Sequence, residues 1–176
     1  TIDVDGVGSL KCRGMIDRVD ATPSGDELLV LDYKTGSSGS YSVLKNDPVD
    51  RGRRLQLAVY SLAAAGANPG AKSVRAAYWF VTTRGGFKIA PETPVSLDEF
   101  KDDFRSAVAT IVSGVHKGLF PANPGGESQG TFDNCRLCDF KTLCPSYRDV
   151  AWNRKKGDER LAPYLALLEE EGAESR

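Results

Sequence analysis

Leu29-Val30-Leu31-Asp32-Tyr33-Lys34-Thr35-Gly36 drives an apolar run straight into an acid and a lysine two residues apart, then breaks at a glycine. In a strand successive side chains alternate faces, so Asp32 and Lys34 project together while Tyr33 points the other way. Leu28 to Leu31 supply the continuous hydrophobicity of a strand buried on both faces. A carboxylate and an ammonium are expensive to place at the end of such a strand. A metal ion or a phosphate would offset that cost.

Upstream, Ile2 to Asp20 reads as two extended segments with a hairpin turn near Gly6 to Gly8. The second, Leu10 to Val19, carries Cys12 as a buried strand cysteine and runs into Gly14-Met15-Ile16-Asp17-Arg18-Val19-Asp20. Turn formers fill Ala21-Thr22-Pro23-Ser24-Gly25-Asp26, after which Leu28 to Lys34 returns antiparallel. A hairpin symmetric about Ser24 and Gly25 sets Asp17 directly across from Asp32. Cross-strand neighbours have Cβ atoms roughly 4.5–5.5 Å apart, close enough for two carboxylates to share one cation. Bare carboxylates that close repel, and Mg2+ or Mn2+, which accept hard oxygen ligands, remove the conflict. By the same parity Asp20 and Arg18 face away from Asp17, which assigns Asp20 to turn chemistry or a surface pair.

Downstream, Ser37 to Ser42 reads as a flexible loop leading through Pro48 into a helix from about Val49 to Ala65. Leu55, Val59 and Leu62 form its apolar stripe, and Gln56 and Tyr60 lie one turn apart on an adjacent face. Arg51, Arg53 and Arg54 crowd the first turn, against the helix dipole, and either face an anionic partner or form a solvated face. Val74 to Thr82 is a strand by its β-branched and aromatic content, with Phe87 to Ile89 as a partner. Ser96 caps a long helix with a core stripe of Leu97, Phe100, Phe104, Val108, Ile111, Val112 and Val115. His116, the one histidine, suits the cation-favouring end of that helix as a surface residue. A Gly/Pro-rich connection, Gly118 to Gly130, precedes Cys135, Cys138 and Cys144. Leu161, Leu165 and Leu168 mark a terminal helix with an acidic tail that frays.

The chain has 176 residues, enough for a sizeable core, with 23 basic against 24 acidic side chains. A net charge of −1 gives no bulk argument for nucleic-acid binding, so any such contact must be local. No secretory signal and no membrane-spanning apolar run is present, which sets the expectation of a cytoplasmic protein without membrane attachment. With Met15 as its only methionine, the sequence reads as a piece of something longer. Three of its four cysteines fall within ten residues, a clustering that favours metal ligation over a disulfide framework.

Asp17, Asp32 and Lys34 suit metal-assisted phosphodiester hydrolysis. Both carboxylates, with the Tyr33 carbonyl, would hold the cation, and Lys34 would orient water or neutralise charge on the phosphate. No serine or cysteine is matched to a histidine as a nucleophile–base pair.

Gly14 to Asp20, Leu31 to Gly36 and Gln56-Leu57-Ala58-Val59-Tyr60, in that order, resemble the successive motifs of PD-(D/E)XK nucleases, and most closely the RecB/AddB-type nuclease domain of bacterial helicase–nucleases. The resemblance covers roughly Thr1 to Pro145. It implies an α/β fold with a mixed central sheet flanked by helices, metal-binding roles for Asp17 and Asp32, and a catalytic Lys34. It further implies a helix bordering the site that carries Gln56 and Tyr60, DNA as substrate, an associated helicase, exonuclease action and a role in DNA repair. The cysteine spacing resembles an iron–sulfur staple, in which Cys135, Cys138 and Cys144 converge on a 4Fe-4S cluster or zinc. Cys12 is a weak candidate for the fourth ligand, and the family's N-terminal helix, with its acid or histidine, is expected to lie outside this sequence. The expected organisation is a nuclease core over 1–130, a cysteine-rich segment over 131–150 and a helical tail over 151–176. A catalytically incomplete DNA-binding or scaffolding module of the same fold is the alternative.

Overall fold

Two short strands, β1 (Ile2–Val4) and β2 (Gly8–Leu10), open the chain in a computed structural model, which describes residues 1–4 and 8–168. They pair antiparallel as a sheet of their own, Ile2 across from Leu10, and the expected turn falls largely on residues 5–7, outside the described residues. The second segment does not stay extended to Val19. Residues 11–17 are irregular, and Cys12 is exposed there rather than buried in a strand.

β3 (Arg18–Ala21) and β4 (Glu27–Lys34) form the expected hairpin, with Arg18 across from Leu31 and Ala21 across from Leu28. The paired register ends at Arg18 across from Leu31; Asp17 lies in a bend just before it, and positions 11–14 would lie beyond the end of β4, where no strand remains to pair with them. The turn is held by Gly25 at φ 74° and by Asp26. Hydroxyls of Ser24 and then Thr22 donate to the Asp26 carboxylate and hold its pKa below the ordinary range.

β4 pairs parallel along its whole length with β5 (Ser73–Phe80), and β5 pairs antiparallel with β6 (Ile89–Ser96). The four strands make one mixed sheet in the order β3-β4-β5-β6. Parallel neighbours require a crossover, which here carries the helix α1 (Gln56–Ala67). Its Leu57 and Ala64 join Val30, Ala76, Tyr78 and Phe80 of the two central strands in a buried cluster. The edge strand β6 accommodates Pro91 and Pro94, as edges do.

The crossover differs from its sequence reading. Most of the Ser37 to Ser42 stretch expected as flexible loop falls in a 3-10 helix (Gly39–Lys45), anchored by the fully buried Leu44. The α-helix begins at Gln56 rather than Val49, because Asp50, Arg51 and Gly52 all take positive φ, which no right-handed helix admits. Asp47 holds that turn by accepting the backbone N–H groups of Val49 and Arg51. The three arginines therefore precede α1 instead of opposing its dipole. Arg54 is structural: it donates to Asp50 at 3.0 Å and stacks 3.7 Å above the Tyr41 ring. The face of α1 that docks on the sheet is Leu57, Ala58, Ser61 and Ala64, and the expected stripe of Leu55, Val59 and Leu62 is only partly covered.

α2 (Leu97–His116) begins with a capping box, in which Ser96 Oγ accepts from Asp98 N and Glu99 accepts from Ser96 N. Phe100, Phe104, Ala107 and Val108 are buried, but Ile111 and Val115 are exposed, so the core stripe ends earlier than expected. The chain divides into two compact units, Thr1–Ala109 and Thr110–Arg176, and the change falls where the stripe stops. His116 is exposed at the helix end.

The second unit holds the small hairpin β7 (Glu127–Ser128) and β8 (Thr131–Phe132), then α3 (Arg148–Lys155), a 3-10 turn (Glu159–Leu161) and α4 (Ala162–Leu168). Leu161 is buried, with Leu165 and Leu168 half-buried, while the acidic tail expected to fray lies outside the described residues. Among the described residues no helix is long and apolar enough to cross a membrane.

Candidate active site

The carboxyl end of β4 delivers Asp32 and Lys34 to one face, as strand alternation requires. Asp32 is 3% exposed, and Lys34 Nζ stands 2.5 Å from its Oδ2. The buried carboxylate is thereby paired, which burial of a charge demands.

Gln56 ties the pair together with a single amide. Its Oε1 accepts from Lys34 Nζ at 2.8 Å, and its Nε2 donates to Asp32 Oδ1 at 3.0 Å. The same Nε2 lies 3.2 Å from the Tyr60 hydroxyl one turn along α1. The crossover is what allows this, since it places the first turn of α1 beside the end of β4. Tyr60 in turn reaches the irregular segment before Asp17: a Cβ on Gly14 would sit 3.2 Å from Tyr60 Cε1. A side chain at position 14 would require the Tyr60 ring to give by a few tenths of an ångström.

Asp17 is exposed and accepts a hydrogen bond from Tyr33 N at 2.8 Å, which anchors it to the strand that carries Asp32. Arg18 and Asp20 turn away and form an exposed 2.8 Å ion pair with each other, as their parity requires. That pairing raises the Arg18 pKa, with Asp20 the leading cause. Tyr33 points to the opposite face and meets Trp79 edge-on.

Sequence reasoning missed Tyr78. Its ring lies beneath Lys34 Nζ at 5.0 Å, a cation–π seat for the ammonium. Burial, and next the negative charge of Asp32, push the Tyr78 phenol up, so it stays neutral. No local signal gives this placement: Tyr78 pairs with Asp32 in the β4–β5 ladder and so shares its face, and that parallel register passes through the crossover.

Asp32 offers an oxygen of the kind a hard divalent cation takes, although among the described residues no three acidic, histidine or cysteine side chains gather there. Asp32 Oδ2 is fully buried and accepts no well-aligned hydrogen bond, although the Lys34 ammonium is near. The close charge contact and the missing alignment are compatible, because an ammonium can neutralise a carboxylate without pointing an N–H along its lone pair. A carboxylate oxygen with an unfilled hydrogen-bonding position is a ligand type that Mg2+ or Mn2+ takes.

The three clustered cysteines are a different case. Cys135, Cys138 and Cys144 are all free thiols bordering one cavity of about 680 Å³ in the second unit. They do not converge as expected: among the described residues no three histidine, cysteine or acidic side chains come together as a set able to hold a metal. The segment is a succession of turns without a strand or helix to aim its thiols, and Leu137, Phe140 and Leu143 are exposed along it. As arranged, these residues do not fit a 4Fe-4S cluster or a zinc ion.

A comparison with known families matches residues 1–145 to the one described as the PD-(D/E)XK nuclease superfamily. Comparisons with curated proteins and with solved structures give no match.

Proposed function

We propose that this chain, which belongs to the PD-(D/E)XK nuclease superfamily, hydrolyses DNA phosphodiester bonds with a divalent cation, acting as an exonuclease of the RecB/AddB type in concert with a helicase. Family membership supports nuclease function and DNA as substrate. The observation that carries the assignment of the catalytic residues is the Gln56 amide bridging Lys34 and Asp32 at the end of β4.

Asp17, Asp32 and the Tyr33 carbonyl would hold Mg2+ or Mn2+, which when bound supplies Lewis acidity toward the phosphate and makes water a stronger acid. The remaining chemistry belongs to the chain. Lys34, steadied by Gln56 and by the Tyr78 ring, carries a fixed positive charge toward the phosphate oxygens and orients the attacking water. Gln56 keeps acid and lysine in one geometry, and Tyr60 fixes the amide from behind. In this reading residues 1–130 carry the nuclease chemistry, 131–150 a cysteine-rich segment and 151–176 a helical tail. The thiols of Cys135, Cys138 and Cys144 are assigned no step in the hydrolysis.

The test is cleavage of end-labelled single- and double-stranded DNA, beside circular DNA, with Mg2+ or Mn2+. The parent should cut from ends, and folded Asp32→Ala and Lys34→Ala variants should not. Variants that cut as well as the parent would overturn the assignment. An inert parent that still binds DNA would favour the scaffolding alternative.

A further inference from the structure

The connection between β5 and β6 has features that the hydrolytic site leaves unused. Its sequence, Val81-Thr82-Thr83-Arg84-Gly85-Gly86-Phe87-Lys88, holds two cations and no acid. Phe87 is 63% exposed, and its φ of 51° lies in the left-handed region that bulky residues rarely adopt. Neither packing nor backbone preference accounts for an aromatic ring there, and such strain concentrates at functional positions.

The loop is nonetheless firmly fixed, and what fixes it is the catalytic strand. Val81 N donates to the Lys34 carbonyl at 3.0 Å, and Thr82 Oγ1 donates to the Thr35 carbonyl at 3.1 Å. Gly85 is buried so tightly that a Cβ would lie 2.6 Å from Phe80 Cβ and 2.9 Å from the Gly36 carbonyl oxygen. The Thr82 carbonyl accepts from both Gly85 N and Phe87 N, closing the turn. Arg84 and Lys88 are exposed on either side of Phe87, and among the described residues neither pairs with an acid.

We propose that this loop is a DNA-contacting surface, in which Phe87 stacks on a base of the strand being cut while Arg84 and Lys88 take its phosphates. The proposal rests on the nuclease reading of the neighbouring site. Two unpaired cations flanking an exposed ring match the alternating phosphate and base of a nucleic-acid strand. The tether supplies the location: the loop is pinned to the Lys34 and Thr35 backbone, so it borders the strand end where Lys34 would meet a scissile phosphate.

The experiment is fluorescence anisotropy of a fluorescein-labelled single-stranded oligodeoxynucleotide with Ca2+ in place of Mg2+, alongside the cleavage assay. Phe87→Gly removes the ring and suits the backbone conformation, so it should unfold no earlier than the parent while binding about fivefold or more weakly. Phe87→Trp should restore binding. An Arg84→Glu, Lys88→Glu double variant should weaken binding and flatten its salt dependence by about one unit of slope per lost contact. A parent that cuts DNA while the variants bind as tightly as it does overturns the loop assignment and leaves the nuclease reading standing. A parent that binds without cutting, and variants that lose binding, support the loop and sink the hydrolytic reading. A parent that neither binds nor cuts overturns both.

Discussion

Removing either member of the Asp32–Lys34 pair should destabilise the protein, but not equally. The Asp32 side chain is 4% exposed and the Lys34 side chain 24%, so only the lysine has a route to water. Lys34→Met keeps the apolar stem and deletes the ammonium. Asp32 is then a buried carboxylate with one neutral donor, Gln56 Nε2 at 3.0 Å, and an Oδ2 with no aligned partner. Breaking a buried pair in this way costs about 3–5 kcal/mol, and the surviving Gln56 bond argues for about 3. Asp32→Asn leaves a neutral amide able to accept from Gln56. The ammonium left behind keeps Gln56 Oε1 and the Tyr78 ring and can shift toward solvent, for a cost of about 1–2 kcal/mol. Urea unfolding at neutral pH in EDTA, with slopes compared, measures both. Mg2+ should then recover stability in Lys34→Met, whose carboxylates are intact, by the amount that binding to the folded state alone provides, and recover little in Asp32→Asn. An Asp32→Asn variant that is as unstable as Lys34→Met, or equal rescue of both by Mg2+, would refute the asymmetry and with it the claim that Asp32 is the cation's buried ligand.

Gly85→Ala should lower stability by about 1–3 kcal/mol, since the added methyl meets Phe80 Cβ and the Gly36 carbonyl inside contact distance; an unchanged thermal midpoint would show that the loop yields. The raised Tyr78 phenol gives a contribution fully present below its ordinary pKa of about 10 and lost as pH rises toward the folded value. Tyr78→Phe should therefore shift alkaline unfolding, followed by circular dichroism against pH, to higher pH, and an unmoved alkaline edge would contradict the burial of that hydroxyl.

The hairpin register was legible because two local facts fix it: a turn centred on Ser24 and Gly25, and an apolar run that must face inward. The pairs Arg18–Leu31 and Ala21–Leu28 follow from that symmetry. Gln56 and Tyr60 were legible as a pair because an i, i+4 spacing survives any uncertainty about where the helix starts. The start itself was not legible. Nothing in the pattern of Pro48 to Arg54 announces three consecutive positive φ values held by the Asp47 side chain. The Ser-rich loop likewise became ordered through long-range packing, with Tyr41 wedged edge-on against Tyr78 and Phe80 and covered by Arg54.

Tyr78 shows where sequence reading stops for the site. A hairpin carries its register in its turn, but β4 and β5 are parallel, and their register passes through the whole crossover. Whether Tyr78 or Trp79 stands beside Asp32 is set by how α1 packs against the sheet, through Leu57 and Ala64 on the buried cluster. That same packing brings Gln56 to the end of β4. One docking event thus decides two contacts of Lys34, its amide partner and its aromatic seat, so the lysine is positioned by the fold of the crossover rather than by its own strand.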